Sequence, residues 1–86
     1  MQDKNKILQK AIGRVVSKVR KQNKLKFTIF CYENDISKTT LYMIEKGKNS
    51  PYVNTLYEII KCLGLTYKEF GELLDKELPK SYWDND

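Results

Sequence analysis

From Lys4 onward, apolar residues recur at steps of three and four. Ile7, Leu8, Ala11, Ile12, Val15, Val16 and Val19 form one stripe, which predicts an amphipathic helix from about Lys4 to Gln22. Asn23-Lys24 breaks it. A short second helix from Phe27 to Asn34 carries Phe30 and Cys31 toward a core. It stops at Asn34-Asp35, residue types that tolerate the left-handed backbone of a tight turn. Ser37 has the chemistry of an N-cap, since its hydroxyl can accept from the N–H of Thr39 or Thr40. The third helix turns Leu41 and Ile44 inward, and Gly47 is placed to end it. Beyond the loop Lys48-Asn49-Ser50-Pro51, a fourth helix starts at Val53 or Asn54. It aligns Leu56, Ile59, Ile60 and Leu63 and closes at Gly64. Thr66 and Glu69 have capping-box spacing. They open a fifth helix through Phe70, Leu73 and Leu74 that reaches Leu78 and is stopped by Pro79. The expected fold is all-α, five short helices in one domain spanning residues 1–86.

Length and composition narrow the function classes. A chain of 86 residues buries only roughly 60–65% of its unfolded surface, so its stability margin is small. The amino terminus lacks the apolar segment of a signal peptide, and no apolar run approaches a membrane span, so a cytoplasmic protein is expected. Cys31 and Cys62 lie far apart in apolar surroundings, which favours buried reduced thiols over a disulfide. The chain has no histidine, which excludes a Cys/His zinc site and any histidine-based triad. No enzyme activity, metal or cofactor is expected. Charge is unevenly spread. Residues 1–50 hold twelve Lys/Arg against four Asp/Glu, a net of +8, whereas residues 51–86 hold four against seven, a net of −3. One half of the chain is suited to a polyanion, although a solvated lysine-rich surface would give the same count.

The stretch from Phe27 to Lys46 combines a short helix, a tight turn and a second helix. The small Cys31 sits where two helices must approach closely, Ile36 fills the space beneath the turn, and Leu41 and Ile44 seat the second helix. Such spacing lets two helices cross steeply while the outer face of the second stays free to enter a major groove.

A longer series surrounds this core: Ile12-Gly13, Arg20, Leu25, Phe30-Cys31, Asp35-Ile36-Ser37, Leu41, Ile44-Glu45-Lys46-Gly47, Ser50-Pro51, Leu56, Ile59, Leu63-Gly64-Leu65-Thr66 and Phe70. It resembles the phage Cro/repressor-type (XRE-like) helix-turn-helix family over roughly residues 12–74, leaving 75–86 as a tail. The resemblance implies a lambda-repressor-like five-helix domain. It also implies a transcription regulator, a repressor in the first instance, that binds double-stranded DNA as a homodimer with the Ser37–Lys46 helix in the major groove. Arg20 and Glu45 match the residues that form a salt bridge in such domains. A guanidinium can grip a carboxylate bidentately and also face a DNA phosphate. The chain departs from the family at Phe27, where glutamine is common, and at the turn, where Asp35 replaces a glycine or similar residue. Phe27 and Ile29 together form either an apolar contact surface or part of the packing against the first helix.

Helix geometry turns Lys38, Thr39, Tyr42 and Met43 away from the Leu41/Ile44 stripe, which makes them the candidate base readers. Lys38 can donate to guanine O6/N7, Thr39 can meet a thymine methyl or a polar edge, and Tyr42 and Met43 offer apolar contact. For Tyr42 the alternative is packing on a neighbouring helix, and for Lys38 a phosphate contact. Backbone N–H groups near Phe27, Thr28 and Ser37 are candidate phosphate donors, flanked by Lys26, Lys46, Lys48 and Asn49. Leu73, Leu74, Leu78, Tyr82 and Trp83 make an apolar tail that serves either as a dimer surface or as packing on the core. Two function classes follow. One is a stand-alone DNA-binding regulator. The other is an antitoxin-like or other protein-interaction module of the same fold, whose main partner is a protein.

Overall fold

The computed structural model describes residues 3–84. Its helices are α1 (Lys4–Gln22), α2 (Phe27–Glu33), α3 (Lys38–Glu45), α4 (Val53–Cys62) and α5 (Tyr67–Glu77), followed by a 3₁₀ turn over Lys80–Trp83. No strand occurs among the described residues. The all-α architecture follows from the three-to-four periodicity, which leaves each helix one apolar stripe that must be buried against another helix.

The core gathers those stripes. Val15, Val16 and Val19 of α1 meet Phe30 and Cys31 of α2, Leu41 and Ile44 of α3, Ile59 and Ile60 of α4, and Phe70 of α5. Burying each large side chain contributes about 1.5–3 kcal/mol. Helix α1 is the common wall, packing against both α3 and α5. Its contact with α3 is close enough to require a glycine. A Cβ on Gly13 would collide with the backbone carbonyls of Ile44 and Glu45.

Four helices end in the same way. The residue after the C-cap takes a left-handed conformation, and the next N–H reaches back to a carbonyl in the last turn. At α3, Gly47 (φ 66) donates to the Ile44 carbonyl and Lys48 to that of Met43. Gly64 (φ 78) does the same for α4. Lys24 (φ 57) ends α1 and Asp35 (φ 54) ends α2, both without glycine. Leu25 and Ile36, which follow them, fold back onto the core.

The helix starts are capped as their residues dictate. Asp3 accepts from the N–H groups of Asn5 and Lys6, and Ser37 from that of Thr40. Thr66 and Glu69 form a reciprocal capping box, with N···O distances of 2.9 and 3.1 Å. Helix α5 is fastened to α1 through Glu77, whose carboxylate accepts from Arg14 Nε and Lys18 Nζ, both at 2.9 Å. The two cations hold the Glu77 carboxyl below the usual carboxylate range, Lys18 more than Arg14.

Beyond Pro79 the chain does not run free. Lys4 Nζ donates to the Asp84 carbonyl at 2.6 Å and lies 6.0 Å from the centre of the Tyr82 ring. Tyr82 in turn meets Trp83 edge-to-face. The 3₁₀ turn has no counterpart in the sequence reading, because its main anchor is a lysine eighty residues away.

Candidate nucleic-acid interface

Helix α3 presents two different faces. Leu41 and Ile44 are buried, and Lys38, Thr39 and Tyr42 are exposed on the opposite side, with Met43 half-buried between them. The Tyr42 ring stands among cations: the Lys46 and Lys48 ammonium groups lie 5.9 and 5.6 Å from its centre. Tyr42 is thus exposed at the surface beside the cations that follow its helix. An aromatic face flanked by two ammonium groups suits a partner that is both planar and anionic.

The orientation of this helix is set by an ion pair. Arg20 donates through Nε and Nη2 to the two Glu45 carboxylate oxygens, at 2.7 and 3.0 Å, and through Nη1 to the Leu25 carbonyl at 2.8 Å. The paired side chains are only 8% and 9% exposed. Hydrogen bonding to Glu45 raises the Arg20 pKa above its already high range, against the opposing cost of burial. These bonds use three of the five N–H donors of the guanidinium, and Arg20 also lines a shallow surface concavity where α1 ends.

Phe27 is half-buried against the core, and the Arg20 guanidinium lies 5.4 Å from its ring centre. The aromatic ring thereby supports the arginine that holds α3. Ile29 is 51% exposed on the other side of α2. The two do not form one apolar surface, and of the two readings the structure keeps the packing one for Phe27. Helix α2 starts without a side-chain cap at Lys26. Its first intrahelical donor is Phe30, so the N–H groups of Phe27 and Thr28 have no partner within the helix. Lys26, Thr28, Ser37, Lys46 and Lys48 are exposed. Asn49 differs: it is half-buried, and its Oδ1 is a buried acceptor without a hydrogen-bond partner.

The tail residues are drawn largely into the chain. Leu73 and Leu74 pack against the core, and Leu78 and Tyr82 are half-buried, while Trp83 is 66% exposed. The sequence reading missed a second aromatic surface. Tyr57 of α4 stacks on Tyr67 of α5 with ring centres 4.1 Å apart, beside exposed Tyr52 and Val53. The Val53/Tyr57 spacing of four was a legible signal, since both lie off the Leu56/Ile59/Ile60 stripe. The cysteines are free thiols. Burial pushes both thiol pKa values up, which disfavours the nucleophilic thiolate.

Comparison with known proteins finds the same architecture. The restriction-modification controller protein C.Esp1396I, as a tetramer in complex with its natural 35 base-pair operator, superposes with a TM-score of 0.75. The identity is 24%, covering 81% of this chain and 92% of that one. The wild-type form of that controller protein gives a TM-score of 0.75 at 23% identity, covering 92% and 96%. No protein-family model matches the chain, and no curated protein does. The fold is the five-helix helix-turn-helix fold of that controller protein. No helix among the described residues is long and apolar enough to cross a membrane.

Proposed function

We propose that the chain is a sequence-specific regulator of transcription, a repressor in the first instance. It binds double-stranded DNA as a homodimer with α3 in the major groove. The observation that carries this reading is the outer face of α3. Lys38, Thr39 and Tyr42 are exposed, the Lys46 and Lys48 ammonium groups flank the tyrosine, and among the described residues no carboxylate pairs with these lysines. Lys38 and Thr39 are the first candidates to read base edges, with Tyr42 and Met43 as apolar contacts. The unpartnered N–H groups that open α2 and α3, together with Lys26, Lys46 and Lys48, hold phosphates. Asn49 can join them only through its Nδ2. The controller protein of the same fold is a tetramer on its operator, which supports both DNA as ligand and self-association.

A second reading is favoured by one observation. Ile29 and the 87% exposed Tyr32 line a shallow concavity of about 590 Å³ beside α2, rimmed by Glu33, Asp35 and Lys38. Such an apolar surface with a mixed-charge rim suits a protein partner, as in an antitoxin-like module. Selecting bound duplexes from a random pool separates the two. Enrichment of a two-fold symmetric site, with affinity falling as log[salt] by about 0.9 per phosphate neutralised, supports the regulator. Failure to bind any duplex at low salt overturns it.

A further inference from the structure

One strongly charged surface extends beyond the residues assigned to that function and shares only Lys26 with them. Lys21, Lys24 and Lys26 surround a shallow concavity of about 270 Å³, with Arg20 and Leu25, where α1 ends and α2 begins. The charge of Arg20 is balanced by Glu45. The charge offered outward is therefore that of the three lysines, all exposed and, among the described residues, unpaired. No Asp or Glu occurs from Lys4 to Tyr32 to offset it.

Lys24 adds a second, independent observation. It occupies the left-handed position that ends α1, donating to the Lys21 carbonyl at 3.0 Å while Leu25 donates to that of Arg20 at 2.9 Å. Glycine has the least strain in this conformation; Gly47 and Gly64 hold the equivalent positions after α3 and α4, and Asp35, a residue type that tolerates this backbone better than lysine, holds the one after α2. A lysine there is a poorer choice for the fold. Strain held at a surface position points to a use for the side chain.

The cluster also lies in the right place. Arg20 ties this end of α1 to Glu45 at the close of α3 and covers Phe27 at the start of α2. The lysines thus border the two elements assigned to DNA. We infer that Lys21, Lys24 and Lys26 form a phosphate-binding tract for duplex DNA flanking the bases that α3 reads. Lys24 sacrifices stability at the helix end for that contact. The inference rests on the DNA-binding reading above and extends its footprint.

The test uses the full chain and a duplex selected from a random pool, in two lengths: trimmed to the selected site, and the same site with arbitrary flanking sequence. Wild-type protein should show a steeper salt dependence on the longer duplex. Lys24→Gly should raise the melting temperature by about 4 °C. It should lower the salt slope by about 0.9 on the longer duplex and leave the slope on the shorter one unchanged. Lys21→Ala should reduce the flank-dependent gain, Lys26→Ala should lower the slope on both duplexes, and Lys68→Ala, on the acidic half, should do neither. Equal wild-type slopes on both duplexes, or a Lys24→Gly protein that keeps the gain, would overturn the tract and leave α3 as the reader. Wild-type protein that binds neither duplex would overturn the DNA-binding reading and the tract with it.

Discussion

The two faces of α3 are built on opposite terms. Inward, every contact is specified: Leu41 and Ile44 are sealed in the core, Glu45 is gripped by Arg20, and Gly13 lets the α1 backbone touch the end of the helix. Outward, Lys38, Thr39 and Tyr42 make few contacts with the rest of the chain and are exposed. The inner face fixes where the helix sits, and the outer face is free to vary without cost to the fold. Stability and recognition therefore belong to different residues of the same eight-residue helix.

The largest way to break this division is to remove one partner of the ion pair. Arg20→Ala leaves the Glu45 carboxylate buried and unpaired, at a cost on the order of 3–5 kcal/mol. The urea midpoint should collapse, and a change under about 1 kcal/mol would show that the pair is not what holds α3. Gly13→Ala comes next. The added methyl meets backbone carbonyls, which cannot rotate away as a side chain would, and about 1–3 kcal/mol should be lost.

On the outer face the expected pattern reverses. Lys38→Ala should move stability by less than about 0.5 kcal/mol. It should weaken binding to the preferred duplex by about 1–3 kcal/mol relative to a mismatched one. A large loss of stability in this variant would mean that the outer face also serves the fold.

The smallest effect sharpens the comparison from outside α3. The folded pKa of Glu77 is depressed, so its contribution to stability is present above the ordinary carboxylate value of about 4.3 and is lost as pH falls through the lower folded value. Glu77→Gln should therefore flatten the stability profile in the acid range and leave its shape near neutrality unchanged. Because this pair is near the surface, its size should also shrink with added salt.

Much of the local structure is written in short-range chemistry. The bounds of α1, the Ser37 cap, the Thr66/Glu69 box and the stop at Gly47 each depend on residues within one turn of one another. They are legible for that reason. The conformation of Lys24 was only half legible: Asn23-Lys24 marks a break, but nothing in a lysine announces a left-handed backbone. Phe27 was ambiguous because its role depends on Arg20, which is adjacent in space and not in the local pattern.

The tail and the surfaces show where such reasoning stops. Leu73, Leu74, Leu78, Tyr82 and Trp83 look alike as apolar residues, yet the fold half-buries four, packing Leu73 and Leu74 on the core and setting Lys4 over Tyr82, and leaves Trp83 out. By itself the sequence determined the helices, their caps and which side of α3 must face inward, since periodicity and capping are local properties. Only the tertiary structure decided that Arg20 also bonds the Leu25 carbonyl, that Phe27 supports it, and that Lys21, Lys24 and Lys26 share one concavity. Those facts depend on distances between residues far apart in the chain, which only packing sets.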